Sequence, residues 1–235
     1  MNRNIIDAIG TLIRRQPFHL NDPYAPENPY HSARYWNIEE YVMNLFADTF
    51  HVADKTERTC RWGDVFHIGN STNPPDLMLR GGDAIEIKNI YIPKRYSRPG
   101  LNDPLILNTV YPRQKLFVDD PLVTNSCRQA ERWTEKNIIY AVGVSKGKSL
   151  THFCMVYGID YCASAKHYKN ILLEMRSKLK DIPNIRFGDE REPGRVHAID
   201  PTGATRLDLR NMWHIENPWS FFRYVYRPNR NATFN

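Results

Sequence analysis

The chain has 235 residues, a mass of 27.6 kDa and 41% hydrophobic residues, enough for one sizeable core. A single compact domain is therefore expected, and a collagen-like, coiled-coil or wholly disordered chain is disfavoured. Basic residues outnumber acidic ones by 32 to 26, giving a net charge of +6 and an isoelectric point near 9.1, a balance that suits a polyanionic partner without naming one.

No segment approaches the roughly 18 uninterrupted apolar residues of a membrane span. The opening Met1-Asn2-Arg3-Asn4 lacks the form of a secretory signal. The four cysteines, Cys60, Cys127, Cys154 and Cys162, show no CxxC spacing, so neither a disulfide framework nor a zinc ribbon is indicated. A soluble cytoplasmic protein with reduced thiols and no membrane partner is expected.

Residues 4–13 carry Ile5, Ile6, Ile9, Leu12 and Ile13 at helical spacing, and a Pro- and Tyr-rich stretch from Pro17 to Tyr30 then interrupts regular structure. From Arg34 to Phe50, the positions Tyr35, Ile38, Val42, Leu45, Phe46 and Thr49 share one helical face, with Glu39 at its border and Glu40 pointing away. Between His51 and Asn73 the pattern breaks into short polar and aromatic pieces, ended by Pro74-Pro75. The period then changes to two: Leu77-Met78-Leu79 and Ala84-Ile85-Glu86-Ile87-Lys88 flank Arg80-Gly81-Gly82-Asp83, the composition of a tight antiparallel turn.

A basic, aromatic loop runs from Tyr91 to Pro104, before Leu105-Ile106-Leu107-Asn108 and a second basic stretch with Arg113 and Lys115. Residues 138–144 and 153–157 read as central strands buried on both faces. Tyr168, Ile171, Leu172, Met175 and Leu179 mark a helix after Ala163-Ser164, Thr205 to Trp213 form a late strand, and Arg227 to Asn235 read as a mobile tail. The element count implies α/β layers around one mixed sheet.

The chemistry concentrates on the strand pair. Alternation sends Glu86 and Lys88 to one face and Ile85 and Ile87 to the core, while a turn centred on Gly81-Gly82 brings Asp76 opposite residues 86–88. Two converging carboxylates repel, so a divalent cation or the lysine must compensate them. A hard oxygen-lined site suits magnesium, with Asp76 and Glu86 as ligands and substrate phosphate completing the shell. Lys88 is then placed to orient or deprotonate a water, and the implied reaction is phosphodiester hydrolysis. The alternative is that Asp76 caps a turn while Glu86 and Lys88 form a solvated strand face.

Pro75-Asp76 followed by Glu86-Ile87-Lys88 resembles the PD-(D/E)xK nuclease superfamily. The stretch from Asn73 to Lys88, with Leu107-Asn108, Tyr111-Pro112, Lys115-Leu116 and Ile139 to Gly143, is similar to type II restriction endonucleases of the NgoPII family. That resemblance implies a restriction-endonuclease-like fold, a central mixed β-sheet flanked by helices. One nuclease domain over 1–235 is expected, with an N-terminal helical part at 1–50 and a catalytic core at 60–160, the stretch that carries the resemblance. The resemblance further implies magnesium-dependent cleavage of double-stranded DNA at a short palindrome, GGCC-like, by a homodimer paired with a protecting DNA methyltransferase. By the same resemblance Asp76 and Glu86 hold metal, Lys88 assists the attacking water, and Glu39 is a candidate additional catalytic carboxylate or an ordinary helix-edge glutamate.

Lys94, Arg95 and Arg98, with Arg113 and Lys115, are candidate phosphate contacts, and Asn108 and Arg113 are candidate base readers. A repair or junction nuclease of the same superfamily, and a non-catalytic DNA-binding module, are the competing functions. His152, Cys154, Cys162 and His167 match no zinc spacing and read as core packing.

Overall fold

The computed structural model describes residues 3–15, 38–70, 73–91, 107–109, 112–146, 149–188, 193–209, 213–215 and 218. The loop at Pro17–Tyr30, the basic loop with Lys94, Arg95 and Arg98, and the tail at Arg227–Asn235 lie outside them.

The first helix, α1 (Ile5–Arg15), starts where the Asn4 side chain accepts from the Ile6 and Asp7 amides at 2.8 and 3.2 Å, supplying donors at the helix start with a partner. Its buried stripe is Ala8, Thr11 and Leu12, while Ile6 and Ile13 face outward. Helix α2 (Ile38–Ala47) buries Ile38, Val42, Leu45 and Phe46, as the spacing predicts, together with Tyr41; Thr49, expected on the same helical face, lies beyond the helix end, and Tyr35 falls outside the described residues. The helix ends before Asp48, whose φ of 52° cannot continue a right-handed helix.

One element is missing from the sequence reading. Residues 55–65, read as broken pieces, form α3 (Lys55–Val65), with Asp54 as N-cap accepting from the Glu57 amide at 2.7 Å. Its only buried residues are Arg58 and Trp62, so no apolar stripe advertises it. Both are tied by polar contacts: Trp62 Nε1 donates to Thr49 Oγ1 at 3.0 Å, Thr49 donates on to Asn44 at 2.6 Å, and Arg58 donates to the Val52 carbonyl at 3.0 Å.

Strands β1 (Phe66–Asn70), β2 (Asn73–Leu79) and β3 (Ala84–Tyr91) form an antiparallel meander. After β4 (Leu107–Thr109), β5 (Lys115–Phe117) and the short helix α4 (Asn125–Gln129), the chain enters β6 (Glu135–Lys146). This strand pairs in parallel with β3, antiparallel with β5, and antiparallel with β7 (Ser149–Tyr157). The sheet is therefore mixed and six-stranded, with order β1-β2-β3-β6-β5 and β7 joined to β6.

β6 is the central strand, as expected. β7, also expected to be central, pairs only with β6 among the described residues; its apolar side chains are buried by helices and the adjoining strand, which a sequence run cannot distinguish from burial between two strands.

One face of the sheet packs on α1, α2 and α3 through Leu45, Phe46, Leu79, Ile85, Ile139 and Phe153. The other carries Ala84, Ile138, Tyr140, Val142 and Cys154 against Leu116, Val123 and Cys127. Helix α5 (Gly158–Tyr161) and helix α6 (Ala165–Leu179) follow; α6 buries Tyr168 and Leu172, while Ile171 and Met175 point outward. The remaining strands are β8 (Ile185–Arg186), β9 (Gly194–Val196), β10 (Leu207–Leu209) and β11 (Trp213–Ile215). The single late strand expected over 205–213 is two strands in different sheets: β10 pairs with β9 and β11 with β4. The outcome is an α/β protein with helices flanking a central mixed sheet. Among the described residues, no helix is long and apolar enough to cross a membrane.

Candidate active site

The β2–β3 hairpin turns through Gly81, whose φ of 63° favours glycine, and pairs Leu77 with Ile85 and Met78 with Ala84. Continued by one residue, that register sets Asp76 opposite Glu86. Ile85 and Ile87 are buried on the helix-covered face, so Asp76, Glu86 and Lys88 share the opposite one. This is the convergence expected from the alternation.

Distances make the grouping concrete. Asp76 Oδ2 accepts from the Ile87 amide at 2.6 Å, which ties the carboxylate of one strand to the backbone of the other. Lys88 Nζ lies 3.2 Å from Glu86 Oε2, with side chains 23% and 14% exposed. Burial pushes the Asp76 carboxyl up to about 7, helped by the negative charges of Glu86 and Glu39 and opposed by the Ile87 amide and Lys88. Two carboxylates against one ammonium leave the pair short of positive charge, the condition a cation relieves.

Glu39, in the first turn of α2, thus lies close enough for its charge to act on Asp76. What brings α2 this close is Gly143 in β6. A Cβ there would fall 2.3 Å from Ile38 Cδ1 and 3.0 Å from Leu150 Cδ1, so the bare backbone makes room for the helix start. Among the described residues no three His, Cys, Asp or Glu side chains are grouped to hold a metal. The donor set is therefore the Asp76–Glu86 pair, two hard oxygen ligands without nitrogen or sulfur. It fits magnesium, which commonly takes one or two protein carboxylates together with water and phosphate oxygens.

The hairpin is clamped from outside by residues the motif reading passed over. Glu131 Oε2 accepts from the Gly81 amide at 2.7 Å and contacts His67 Nε2 at 3.2 Å. Its other oxygen meets Lys136 Nζ at 2.5 Å, and that ammonium also donates to the Gly82 carbonyl at 2.5 Å. Hydrogen bonds from Lys136, His67 and the Gly81 amide hold the Glu131 carboxyl below the usual range against a burial effect that opposes them.

The expected DNA contacts divide. Lys94, Arg95 and Arg98 fall outside the described residues. Asn108 sits in β4 opposite His214 of β11. Lys115, at the start of β5, is half-exposed and reaches Glu135 at 2.6 Å. Arg113 is 8% exposed, its Nε 2.8 Å from Asp120 Oδ2, so its guanidinium is directed into the protein. The residues His152, Cys154, Cys162 and His167 do not form a cluster: His152 contacts Thr151, His167 contacts Ser164, and burial pushes the Cys154 and Cys162 thiols up to about 12 and about 11.

The sequence model of the NgoPII restriction endonuclease family matches residues 3–235. A curated relative from Neisseria gonorrhoeae, described as type II restriction enzyme NgoPII, is 43% identical over 234 residues, covering 99% of this chain and 81% of the relative. No solved structure matches the chain.

Proposed function

Since the chain belongs to the NgoPII restriction endonuclease family, we propose that it acts as a type II restriction endonuclease through the Asp76–Glu86–Lys88 face of its hairpin. In this reading it hydrolyses phosphodiester bonds of double-stranded DNA at a short palindromic, GGCC-like site. The observation that carries the site assignment is the Asp76 carboxyl, locked to the Ile87 amide at 2.6 Å and raised to about 7 beside Glu86.

Asp76 and Glu86 would hold magnesium. When bound, the ion supplies charge compensation and a lowered pKa for coordinated water. The chain's own residues do the rest. The Ile87 amide keeps Asp76 on the Glu86 side of the hairpin. Lys88, an ammonium restrained by Glu86, orients the attacking water by hydrogen bonding. Glu39, whose charge reaches Asp76, adds a carboxylate from the helix side. Lys115, with Lys94, Arg95 and Arg98 of the preceding loop, supplies positive charge for the phosphate backbone; Asn108 is proposed to read bases, and Arg113 to hold its own segment in place. A palindrome is addressed by a two-fold symmetric homodimer, one site per strand, and a cognate methyltransferase protects the host.

The test incubates purified protein with unmethylated plasmid DNA, with magnesium or with EDTA, beside Asp76→Ala and Lys88→Ala. Discrete fragments with magnesium alone, lost in both variants, are expected, and their ends map the site. Uncut DNA with folding and binding retained would overturn the reading in favour of a binding module, and cuts that follow DNA shape would favour a structure-specific nuclease.

A further inference from the structure

The segment Pro112–Gln114, which precedes β5, is fastened to the sheet face that carries Glu86. The fastening centres on Tyr140, the register partner of Glu86 in the parallel β3–β6 pair and therefore on the same face. Tyr140 is 2% exposed. Its hydroxyl accepts from the Arg113 amide at 2.8 Å and donates to the Arg113 carbonyl at 3.3 Å. One oxygen thus satisfies both backbone groups of one residue.

Three further contacts immobilise the segment. A Cβ on Gly158 would lie 2.4 Å from the Arg113 carbonyl oxygen and 2.9 Å from that of Gln114, so α5 begins in direct backbone contact. Gln114 Nε2 donates to the Cys162 carbonyl at 2.9 Å. The Arg113 side chain is held by Asp120, whose own carbonyl accepts from Arg128 at 2.8 Å. A loop that served only to connect two strands would need none of this. The segment separates Asn108 from Lys115, two residues proposed above to meet DNA, and its anchor stands beside a proposed metal ligand.

We propose that Tyr140 is a positioning residue that holds the Pro112–Gln114 segment, which leads into Lys115, in register with Glu86, so that cleavage at the recognised sequence depends on a hydroxyl that touches neither DNA nor metal. The inference rests on the nuclease reading and deepens it by naming how sequence recognition is tied to the cleavage site.

The test uses the full chain with Tyr140→Phe, which keeps the ring and its edge-on contact with Tyr161 at 5.7 Å, and Gly158→Ala, which pushes on the Arg113 carbonyl from the other side. Tyr157→Phe, which removes the hydroxyl contact to Asp83, is the control. The readouts are single-turnover cleavage at the site mapped with wild type, cleavage at single-mismatch sites, duplex affinity in EDTA, and thermal unfolding. Tyr140→Phe is expected to cut the mapped site roughly tenfold to a hundredfold more slowly, the range for a misplaced reacting geometry. It should also discriminate less against mismatches, with affinity in EDTA unchanged. Gly158→Ala should move both readouts in the same direction, and Tyr157→Phe neither.

Wild-type rate and discrimination in Tyr140→Phe would overturn the proposal, as would a rate loss that merely follows the folded fraction. Should Gly158→Ala fail to fold, Tyr140→Phe alone decides. A wild type that cuts no DNA would refute the nuclease reading first, and this inference with it.

Discussion

Replacing Asp76 by Asn should stabilise the metal-free protein at alkaline pH while abolishing cleavage. In the folded chain the Asp76 carboxyl titrates near 7, against an ordinary value of 3.8. Between these values the native state binds more protons than the unfolded state, so stability falls as pH rises. The penalty is absent below about pH 4, where both states are protonated, and complete above about pH 7. At about 1.4 kcal/mol per pH unit the gap amounts to about 4 kcal/mol. Asn removes the charge while its side-chain oxygen can still accept from the Ile87 amide. Urea unfolding in EDTA at pH 5, 6, 7 and 8 should therefore show an Asp76→Asn advantage that grows with pH. Magnesium should stabilise wild type more at pH 8 than at pH 5, because its ligands must be deprotonated. An Asn variant whose stability difference from wild type is flat across this range, or destabilised at pH 8, would refute the account of Asp76 as a carboxylate strained by burial and like charge.

Gly143→Ala should cost about 1–3 kcal/mol by overpacking against Ile38 and Leu150 and, by displacing the start of α2, weaken the repulsion of Asp76 by Glu39; thermal unfolding reads the first effect and the pH dependence of stability the second. Lys136→Met should cost about 1–3 kcal/mol, because it removes the ammonium that bridges the Glu131 carboxylate and the Gly82 carbonyl while the Gly81 amide and His67 still meet Glu131; denaturant unfolding checks this, and Glu131→Gln in the same background should recover part of it. Native thiol titration should find Cys60 fast and Cys127, Cys154 and Cys162 protected until unfolding, since only Cys60 is exposed.

The parts of the fold legible in the sequence are those whose burial follows a regular period. Helix α2 shows its face through Ile38, Val42, Leu45 and Phe46, and β3 through Ile85 and Ile87, because each packs apolar side chains on a single layer. Helix α3 was illegible for the opposite reason. It is anchored by Arg58, whose carbonyl partner Val52 lies outside the helix, and by a tryptophan nitrogen reaching Thr49; neither contact has a period. That β7 pairs only with β6 among the described residues was likewise hidden, since Phe153, Cys154 and Val156 are buried by packing above and below, and strand order leaves no trace in hydrophobicity.

The site divides along the same physical line. Asp76, Glu86 and Lys88 were visible because a two-strand hairpin with a glycine turn converts sequence spacing directly into proximity: Ile87 and Asp76 are 11 residues apart. The residues that hold that hairpin in place act over longer range. Glu131 meets Gly81 across 50 positions, Lys136 meets Gly82 across 54, and Tyr140 meets Arg113 across 27. None has an unusual neighbour in sequence, and Arg113 read as a solvent-facing cation because a lone arginine in a basic stretch usually is one. Its burial against Asp120 reverses that expectation for the side chain. A guanidinium turned inward cannot track a phosphate, but it can stiffen the backbone on which the outward residues ride. Rigidity of this kind is what a site with a raised carboxyl needs. The repulsion between Asp76 and Glu86 favours any movement that separates them, so the hairpin register must be enforced by contacts that do not themselves carry the chemistry.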